Sequence, residues 1–251
     1  MFNSYENIFL FVILLLIVMR LFELKEYFKD NLIFTESIKF KNILTIDECK
    51  DLINTASKIK FETYNESVDS EAGKCNNNYT KEHDVLFPVY QIDILIEDSI
   101  KNHKLWDDKI RPIYFKKIKP LINKLPWVKD KNVSLAWVFI KRYKKCERTH
   151  MRSHFDSNYF TFNILLSNPK DFKGGELYIF DSHYSIKYKN ISDLSLKEHD
   201  AFIKEKNNNL PIIKDYDQGD ILSFVGENHL HGTLPIEEGE RYVLVLFFNL
   251  Q

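Results

Sequence analysis

The 251-residue sequence predicts an α+β fold, with helices in the N-terminal half and a β-sandwich or jelly roll in the C-terminal half. Apolar residues recur at helical spacing in two stretches before Val133, and the period changes to two from Val133 onward. The strand-like runs after Val133 are short and rich in aromatic and β-branched residues. Six of the 7 glycines fall in the last third of the chain, where a β region with many turns needs them.

Composition places the chain among ordinary globular proteins. A chain of 251 residues that is 44% hydrophobic can bury a large core, so stability does not require a disulfide or a structural metal. The 35 basic and 36 acidic side chains are spread evenly, without the basic stripe that binds phosphates, so we expect no nucleic-acid partner. Cys49, Cys75 and Cys146 lack zinc-ligand spacing and could form at most one disulfide. Nothing in the sequence indicates an oligomeric state.

Residues 1–24 form a hydrophobic segment, with an unbroken apolar run from Ile8 to Met19. We predict a single membrane anchor, because the run is too apolar for a surface helix and Arg20 could snorkel to extend its short span. A cleaved signal peptide is an alternative, although no basic residues precede the run; a buried or partner-binding helix is another. The basic residues Arg20, Lys25 and Lys29 follow the run, which by the positive-inside rule favours a cytosolic domain.

We assign residues 25–37 to a linker and residues 38–251 to a single domain. The domain opens with a short strand from Ser37 to Ile43. Thr45 and Glu48 then have the spacing of a capping box, which predicts the start of a helix. The apolar face of this helix would consist of Leu52, Ile53, Ala56 and Ile59.

The middle of the domain is predicted to contain a polar loop from Glu62 to Asp84 and a second helix from Pro112 to Leu125, with Pro112 in its first turn. Residues 181–218 interrupt the rhythm of strands and are interpreted as an insertion, with a helical piece from Leu196 to Lys206. The predicted strands are Val133 to Tyr143, Tyr159 to Leu166, Glu176 to Phe180, Asp220 to Phe224 and Arg241 to Phe248.

One group of residues suggests metal chemistry. His154 and Asp156 are two residues apart, which on a strand would direct both side chains to the same side. This pair alone is weak evidence, because a chain with 8 histidines contains such a pair by chance about every second time. His231 follows about 75 residues later, and Arg241 lies ten residues beyond it, at the start of the last predicted strand.

Two imidazoles and one carboxylate form the facial set of ligands that binds Fe(II) in non-haem oxygenases and leaves three positions open. A 2-oxoacid would occupy two of these positions and dioxygen the third. The distal carboxylate of the 2-oxoacid requires a fixed cation, and Arg241 suits this role because its guanidinium group binds carboxylates in bidentate fashion. We expect Arg241 on the strand next to the one that bears His231.

Longer motifs surround these residues in a fixed order. They are Phe139 to Tyr143, His154 to Ser157, Thr161 to Ile164, Phe172 to Glu176, Gly219 to Asp220, His231 to Pro235, and Gly239 to Tyr242. Together with the opening strand and helix from Ile43 to Ile53, they resemble the Fe(II)/2-oxoglutarate dioxygenases of the prolyl and lysyl hydroxylase type. The resemblance covers about Ile38 to Leu250.

This resemblance implies a double-stranded β-helix (jelly-roll) core with N-terminal helices packed on it. It also implies an enzyme that hydroxylates prolyl or lysyl side chains of a protein or peptide, converts 2-oxoglutarate and O2 to succinate and CO2, and uses L-ascorbate. The implied Fe(II) ligands are His154, Asp156 and His231. The implied contacts of 2-oxoglutarate are Arg241, Tyr143 and Asn163.

The compartment of the catalytic domain remains open, because the resemblance favours the lumen of the secretory pathway whereas the charge rule favours the cytosol. Four glycosylation sequons are weak support for a lumenal location, since an asparagine-rich chain contains about two by chance. They begin at Asn65, Asn78, Asn132 and Asn190.

Several alternatives remain at the level of the sequence. His229 could replace His231 as a ligand, although it lacks the ten-residue spacing to Arg241. Tyr143 could be only a core aromatic residue, and the amide of Asn163 could be only structural. The chain could also be a non-catalytic binding protein that retains the fold, although its intact set of ligands argues against this.

An oxygenase acting on a small molecule or a nucleic acid is a further alternative. The demethylases that repair nucleic acids carry a second arginine six residues after the first, a position occupied here by Phe247. The sequence also departs from the family pattern at Glu176, where a small residue or threonine is common. Asp220 is interpreted as a turn residue. The insertion is either a lid over the substrate or a surface elaboration.

Overall fold

The computed structural model describes residues 36–59, 90–145, 149–181, 196–206 and 209–251. The predicted anchor at residues 1–24, most of the linker, the loop from Glu62 to Asp84 and part of the insertion lie outside these residues. Within the described ranges, no helix is long and apolar enough to cross a membrane.

Ten strands are described, in two antiparallel sheets. They are β1 (Ile38–Phe40), β2 (Tyr90–Ile96), β3 (Ser99–Ile100), β4 (Val133–Lys144), β5 (Phe160–Leu165), β6 (Phe172–Gly174), β7 (Leu177–Ile179), β8 (Ile221–Val225), β9 (His231–Thr233) and β10 (Ile236–Leu250). The larger sheet has the order β1-β8-β5-β10-β4-β2-β3, and β6 pairs with β10. These two antiparallel sheets are consistent with the predicted jelly-roll core.

The smaller sheet is built on β7 and β9. Two isolated bridges widen it: His154 pairs with His231 on one side, and Tyr178 pairs with Ile212 on the other. Two segments outside the regular strands therefore join this sheet: the segment that contains His154 and the end of the 181–218 insertion.

The five strands predicted after Val133 are found at nearly their predicted positions, and the predicted opening strand is found as β1, whereas β2, β3, β6 and β9 were not predicted. The last strand also begins five residues earlier than expected, at Ile236. In the structure Gly239 has a positive φ of 77° but remains within β10, paired with Phe172 of β6. A glycine at this position bends the strand without ending it.

The first helix, α1 (Ile46–Ala56), begins at the predicted capping box. The hydroxyl of Thr45 accepts a hydrogen bond from the main-chain N–H of Glu48 at 3.2 Å. The carboxylate of Glu48 in turn accepts one from the N–H of Thr45 at 2.7 Å. Two otherwise unpaired donors at the helix start are thereby satisfied.

The predicted boundaries of the second helix were wrong. The helical run, which we call α2, starts at His103 and is capped by the side chain of Asn102, so Pro112 lies in its interior. Wide π-helical turns (Trp106–Ile110 and Tyr114–Ile118) alternate with α-helical turns (His103–Leu105, Arg111–Ile113 and Lys119–Ile122). Each π-turn ends two residues before a proline, where the extra width accommodates the ring that would clash in a regular α-helix.

The larger sheet has two distinct faces because side chains alternate along each strand. On β4 and β10, residues such as Ile140 and Leu244 join a cluster that also contains Leu52 of α1 and Ile118 of α2. The opposite face carries Phe139, Tyr143 and the other residues of a smaller cluster that includes Leu165, Val243 and Val245. The helices therefore lie against one face of the sheet, and the other face remains available for a site.

Candidate metal centre

His154 and Asp156 are not part of a regular strand, contrary to the prediction. His154 forms only an isolated bridge with His231, in which each main-chain N–H donates to the other residue's carbonyl at 2.9 and 3.0 Å. This pairing aligns two chain segments that are far apart in sequence. As a result, the two imidazole rings lie close together, with centroids 4.2 Å apart and planes tilted by 48°.

Asp156 completes the cluster. Its Oδ1 lies 3.3 Å from Nε2 of His154 and 3.6 Å from Nε2 of His231. One ligand atom from each of the three side chains lies within 4.8 Å of the others. All three side chains are at least 87% buried, so they converge in an enclosed position that could hold a metal ion.

Hydrogen bonds to the main chain orient both imidazoles. Nδ1 of His154 lies 2.7 Å from the carbonyl of Arg152, and Nδ1 of His231 lies 3.0 Å from the carbonyl of His229. A carbonyl can only accept, so each Nδ1 carries the proton and donates it. Each Nε2 therefore keeps its lone pair and faces Asp156, as a metal ligand must.

The charges in the cluster are tuned for cation binding. Burial raises the pKa of the Asp156 carboxyl, but the neighbouring His231 and His154 and the hydroxyl of Thr161 outweigh it and lower the pKa to about 2. Burial lowers the pKa of His231 to about 4, despite the attraction of Asp156. At neutral pH the cluster therefore presents one carboxylate and a neutral His231 imidazole.

Thr161 and Gly226, which the sequence analysis did not identify as functional residues, support the position of Asp156. Thr161 on β5 donates its hydroxyl proton to Oδ2 of Asp156 at 2.6 Å and accepts a hydrogen bond from the amide of Asn158 at 3.2 Å. Oδ1 of Asp156 is thereby left to face the histidines. A side chain at Gly226 would place its Cβ 2.9 Å from Cβ of Asp156, so glycine allows this close approach. The alternation of β5, which puts Thr161 on the face of Asn163, was the available signal for Thr161.

The cluster lines a pocket of about 440 Å³ that opens to solvent between the two sheets. Tyr143 and Asn163, both predicted contacts of a co-substrate, also line it. The remaining lining residues are Phe139, Lys141, Met151, Thr161, Leu177, Phe224, Gly232, Thr233, Val245 and Phe247. Most of this wall is apolar, with a few polar groups that face the same space, as in ligand-binding sites generally.

Arg241 lies on β10 in the larger sheet, whereas His231 lies on β9 in the smaller sheet, so the prediction that they occupy neighbouring strands was wrong. In β10, Arg241 is instead opposite Tyr143 of β4, with its guanidinium carbon 5.5 Å from the centre of that ring. Its side chain is 2% exposed, and its Nη2 has no hydrogen-bond partner among the residues that the structure describes. A buried guanidinium nitrogen in this condition is suited to an anionic ligand.

Three other residues considered from the sequence take different roles. His229 is fully buried, with Nδ1 2.9 Å from the carbonyl of Val225, and is not a member of the ligand cluster. Glu176 is exposed and does not line the pocket. Asp220 is more than a turn residue, because its fully buried carboxylate accepts hydrogen bonds from Lys41 and from two main-chain N–H groups.

No protein-family model matches the sequence, and no curated protein does. Solved structures do match. The collagen prolyl hydroxylase of Paramecium bursaria Chlorella virus 1, in complex with 2-oxoglutarate, is 17% identical with a TM-score of 0.50, and the match covers 85% of this chain and 96% of that chain. The fold is that of the Fe(II)/2-oxoglutarate oxygenases.

Two further structures of this oxygenase fold are similar over 85% of this chain. A 2-oxoglutarate/Fe(II) oxygenase from Burkholderia pseudomallei is 12% identical, with a TM-score of 0.55 and 84% of its own chain covered. A prolyl hydroxylase from Trichoplax adhaerens, in complex with a hypoxia-inducible factor peptide, is 12% identical, with a TM-score of 0.51 and 83% covered.

The hydrogen bond from Thr161 gives a test of this candidate metal centre that does not depend on activity. Thr161→Val removes the hydroxyl but keeps the shape of the side chain, so Oδ2 of Asp156 loses its donor. We expect affinity for Mn(II) to fall by about 10- to 100-fold, the range typical for loss of a group that orients a metal ligand.

The measurement is calorimetric titration of the metal-free protein with Mn(II). Thr161→Ser is the matched control, since it keeps the hydroxyl and should bind Mn(II) nearly as the unmodified chain does. Equal affinity in the valine and serine variants would show that Thr161 does not support the metal site.

Proposed function

We propose that the protein is an Fe(II)- and 2-oxoglutarate-dependent dioxygenase. The observation that supports this most strongly is that the His154, Asp156 and His231 cluster lines a pocket together with Tyr143, and that the buried guanidinium of Arg241 lies 5.5 Å from the Tyr143 ring. A metal centre alone would fit many hydrolytic and redox enzymes. The guanidinium of Arg241 is a second positive charge, separate from the metal, and it fits a co-substrate that has a carboxylate at each end.

In this proposal, His154, Asp156 and His231 hold Fe(II) through two Nε2 atoms and one carboxylate oxygen, which leaves other positions open. The bound iron, with dioxygen, supplies the oxidising chemistry that converts 2-oxoglutarate to succinate and CO2 and hydroxylates a C–H bond. The chain's own contribution is to orient the ligands and to exclude water with the apolar side chains that line the pocket, such as Phe224 and Leu177.

Arg241 would bind the 5-carboxylate of 2-oxoglutarate. Burial lowers the pKa of its guanidinium, and the nearby Tyr143 and Tyr216 partly oppose this shift, yet the group remains charged at neutral pH. Tyr143 and Asn163 line the same space and would contact the co-substrate from β4 and β5. A buried cation that lacks one partner is costly, and a bound carboxylate would offset that cost.

For the substrate, we propose a prolyl or lysyl side chain of a protein or peptide. Two of the similar structures are described as prolyl hydroxylases, and one of them holds a peptide. The aromatic residues Phe139 and Phe247 line the pocket of this chain and give it an apolar wall against which such a side chain could pack. The membrane anchor and the compartment remain predictions.

Turnover of 2-oxoglutarate tests the proposed activity. Protein purified without oxygen, loaded with Fe(II) and then exposed to air with 2-oxoglutarate and ascorbate should produce succinate, measured by mass spectrometry. His154→Ala or His231→Ala should abolish succinate formation, because each removes one of three ligands.

His229→Gln is the matched control, because it alters a neighbouring histidine outside the ligand cluster. It should retain turnover. A wild-type chain that binds neither Fe(II) nor 2-oxoglutarate would contradict the proposal and favour a non-catalytic binding protein with this fold.

Substitution of Arg241 should affect the co-substrate more than the metal. Arg241→Lys keeps the charge but loses the bidentate geometry, so we expect the KM for 2-oxoglutarate to rise by about 10- to 100-fold, as for loss of a charged hydrogen bond. Affinity for Mn(II), measured by calorimetry without 2-oxoglutarate, should be nearly unchanged. A loss of Mn(II) affinity as large as the rise in KM would place Arg241 in the metal site instead.

The substrate proposal calls for peptide libraries that present prolyl and lysyl residues in varied contexts. Incubation with the Fe(II)-loaded protein should add one oxygen atom to one of these residues, located by tandem mass spectrometry, and the His231→Ala variant should add none. Succinate production without a hydroxylated peptide in any library would argue for a small-molecule substrate.

A further inference from the structure

Beyond what the sequence suggested, the end of the 181–218 insertion packs against β7 and β5, two strands that carry residues of the pocket wall. Residues 210–216, which we call the return segment, run along β7. The main-chain N–H of Ile179 donates to the carbonyl of Pro211 at 3.2 Å, and the N–H of Ile213 donates to the carbonyl of Leu177 at 2.8 Å. The insertion therefore ends as an additional strand-like partner of the smaller sheet, and this part of it is not a loose surface elaboration.

The return segment is also held from β1. The ammonium group of Lys39 donates to the carbonyls of Lys214 and Asp215 at 2.7 and 3.0 Å. Lys41 donates to the same carbonyl of Asp215 and to the fully buried carboxylate of Asp220 at 2.7 Å. Asp215 has a positive φ of 54°, which turns the chain sharply just before Tyr216. Contacts from both sheets thus fix the position from which the Tyr216 side chain extends.

The hydroxyl of Tyr216 reaches Asn163 on β5. It lies 2.6 Å from the main-chain carbonyl of Asn163 and 3.0 Å from the side-chain oxygen Oδ1 of the same residue. Burial raises the pKa of the Tyr216 phenol, so the group keeps its single proton, which these two acceptors share. Tyr216 also lies close enough to Arg241 for each to influence the ionisation of the other.

This contact determines which end of the Asn163 amide faces the pocket. With Oδ1 directed to Tyr216, the opposite end, the NH2 group, is presented to the space that Asn163 lines. An NH2 group is a donor suited to a carboxylate, whereas an amide oxygen in that place would repel one. The guanidinium of Arg241 lies 5.5 Å from the ring of Tyr143, which lines the same pocket.

We propose that Tyr216 is a positioning residue for the co-substrate: its hydroxyl holds the Asn163 amide so that the NH2 group donates to a carboxylate of 2-oxoglutarate. The insertion thereby contributes to co-substrate binding through its last residues. This inference rests on the proposed function, because it takes 2-oxoglutarate as the ligand of the pocket.

Binding of 2-oxoglutarate to the full-length Mn(II)-loaded protein, measured by calorimetry, tests the role of Tyr216. Tyr216→Phe removes only the hydroxyl, and we expect the Kd to rise by about 3- to 10-fold, the effect of losing one neutral hydrogen bond. In the Fe(II)-loaded enzyme, KM for 2-oxoglutarate should rise by the same factor with kcat nearly unchanged. Affinity for Mn(II) itself should not change.

Tyr159→Phe is the matched control. The hydroxyl of Tyr159 also donates to a main-chain carbonyl, that of Trp127, but this contact is outside the pocket. Its removal should leave the Kd for 2-oxoglutarate unchanged. An equal rise in both variants would attribute the effect to general loss of stability and would overturn the proposal.

A double-mutant cycle tests whether Tyr216 acts through Asn163. Tyr216→Phe should have little further effect on the Kd when Asn163→Ala is already present, because no amide remains to be oriented. Additive effects would overturn the proposed route. Asn163→Asp is a second variant that still accepts the hydrogen bond from Tyr216 but has no donor for a carboxylate, and it should weaken 2-oxoglutarate binding by more than about 10-fold.

The outcomes distinguish this inference from the proposed function. If the unmodified chain binds 2-oxoglutarate and Tyr216→Phe binds it equally well, only the role of Tyr216 is overturned. If the unmodified chain does not bind 2-oxoglutarate, both proposals are overturned. If Asn163→Asp binds as well as the unmodified chain, the orientation of the amide is not what the co-substrate requires.

Discussion

The site depends first on the main-chain pairing of His154 with His231. The two residues are far apart in sequence, and each belongs to a short, irregular part of the smaller sheet. Two reciprocal hydrogen bonds between their backbones place the imidazoles side by side, and main-chain carbonyls fix the proton on each Nδ1. Because this arrangement is made by the backbone, the two ligands are oriented before a metal arrives, which lowers the conformational cost of binding it.

The larger sheet provides the rest of the site, because its two faces carry different sets of residues. Residues on one face of β4 and β10 pack with the helices, and residues on the other face approach the smaller sheet. Arg241 and Tyr143 are opposite each other in register on that second face. A guanidinium group can be buried there because aromatic and aliphatic side chains exclude water, while the pocket leaves room for an anion. Arg241 comes from the larger sheet, whereas His154 and His231 pair in the smaller sheet, and in our proposal a ligand with two charged ends would fit between them.

Much of this could be predicted from the sequence, because the motifs report local chemistry. The period-two pattern identified five strands, and the capping box identified the start of α1. The spacing of His154, Asp156 and His231 identified the cluster that the fold brings together. What could not be predicted depends on tertiary context. The start of α2 was missed because Pro112 is a good first-turn residue, and only the π-turn before it explains its place inside a helix.

Tyr216 is a second feature that could not be predicted from the sequence, because its role near the pocket also depends on tertiary context. Nothing near it in the sequence marks it as functional, and it lies at the end of a segment that interrupts the strand pattern. Its position is set by contacts with β1 and β7, which are 30 or more residues away in the chain. The Tyr216 hydroxyl can be assigned a role only because the fold brings it into contact with the Asn163 amide, which we predicted to bind a ligand. Insertions in such a fold can therefore be joined to the co-substrate pocket at their ends even where their middle parts vary, because the ends must rejoin the sheets that enclose the site.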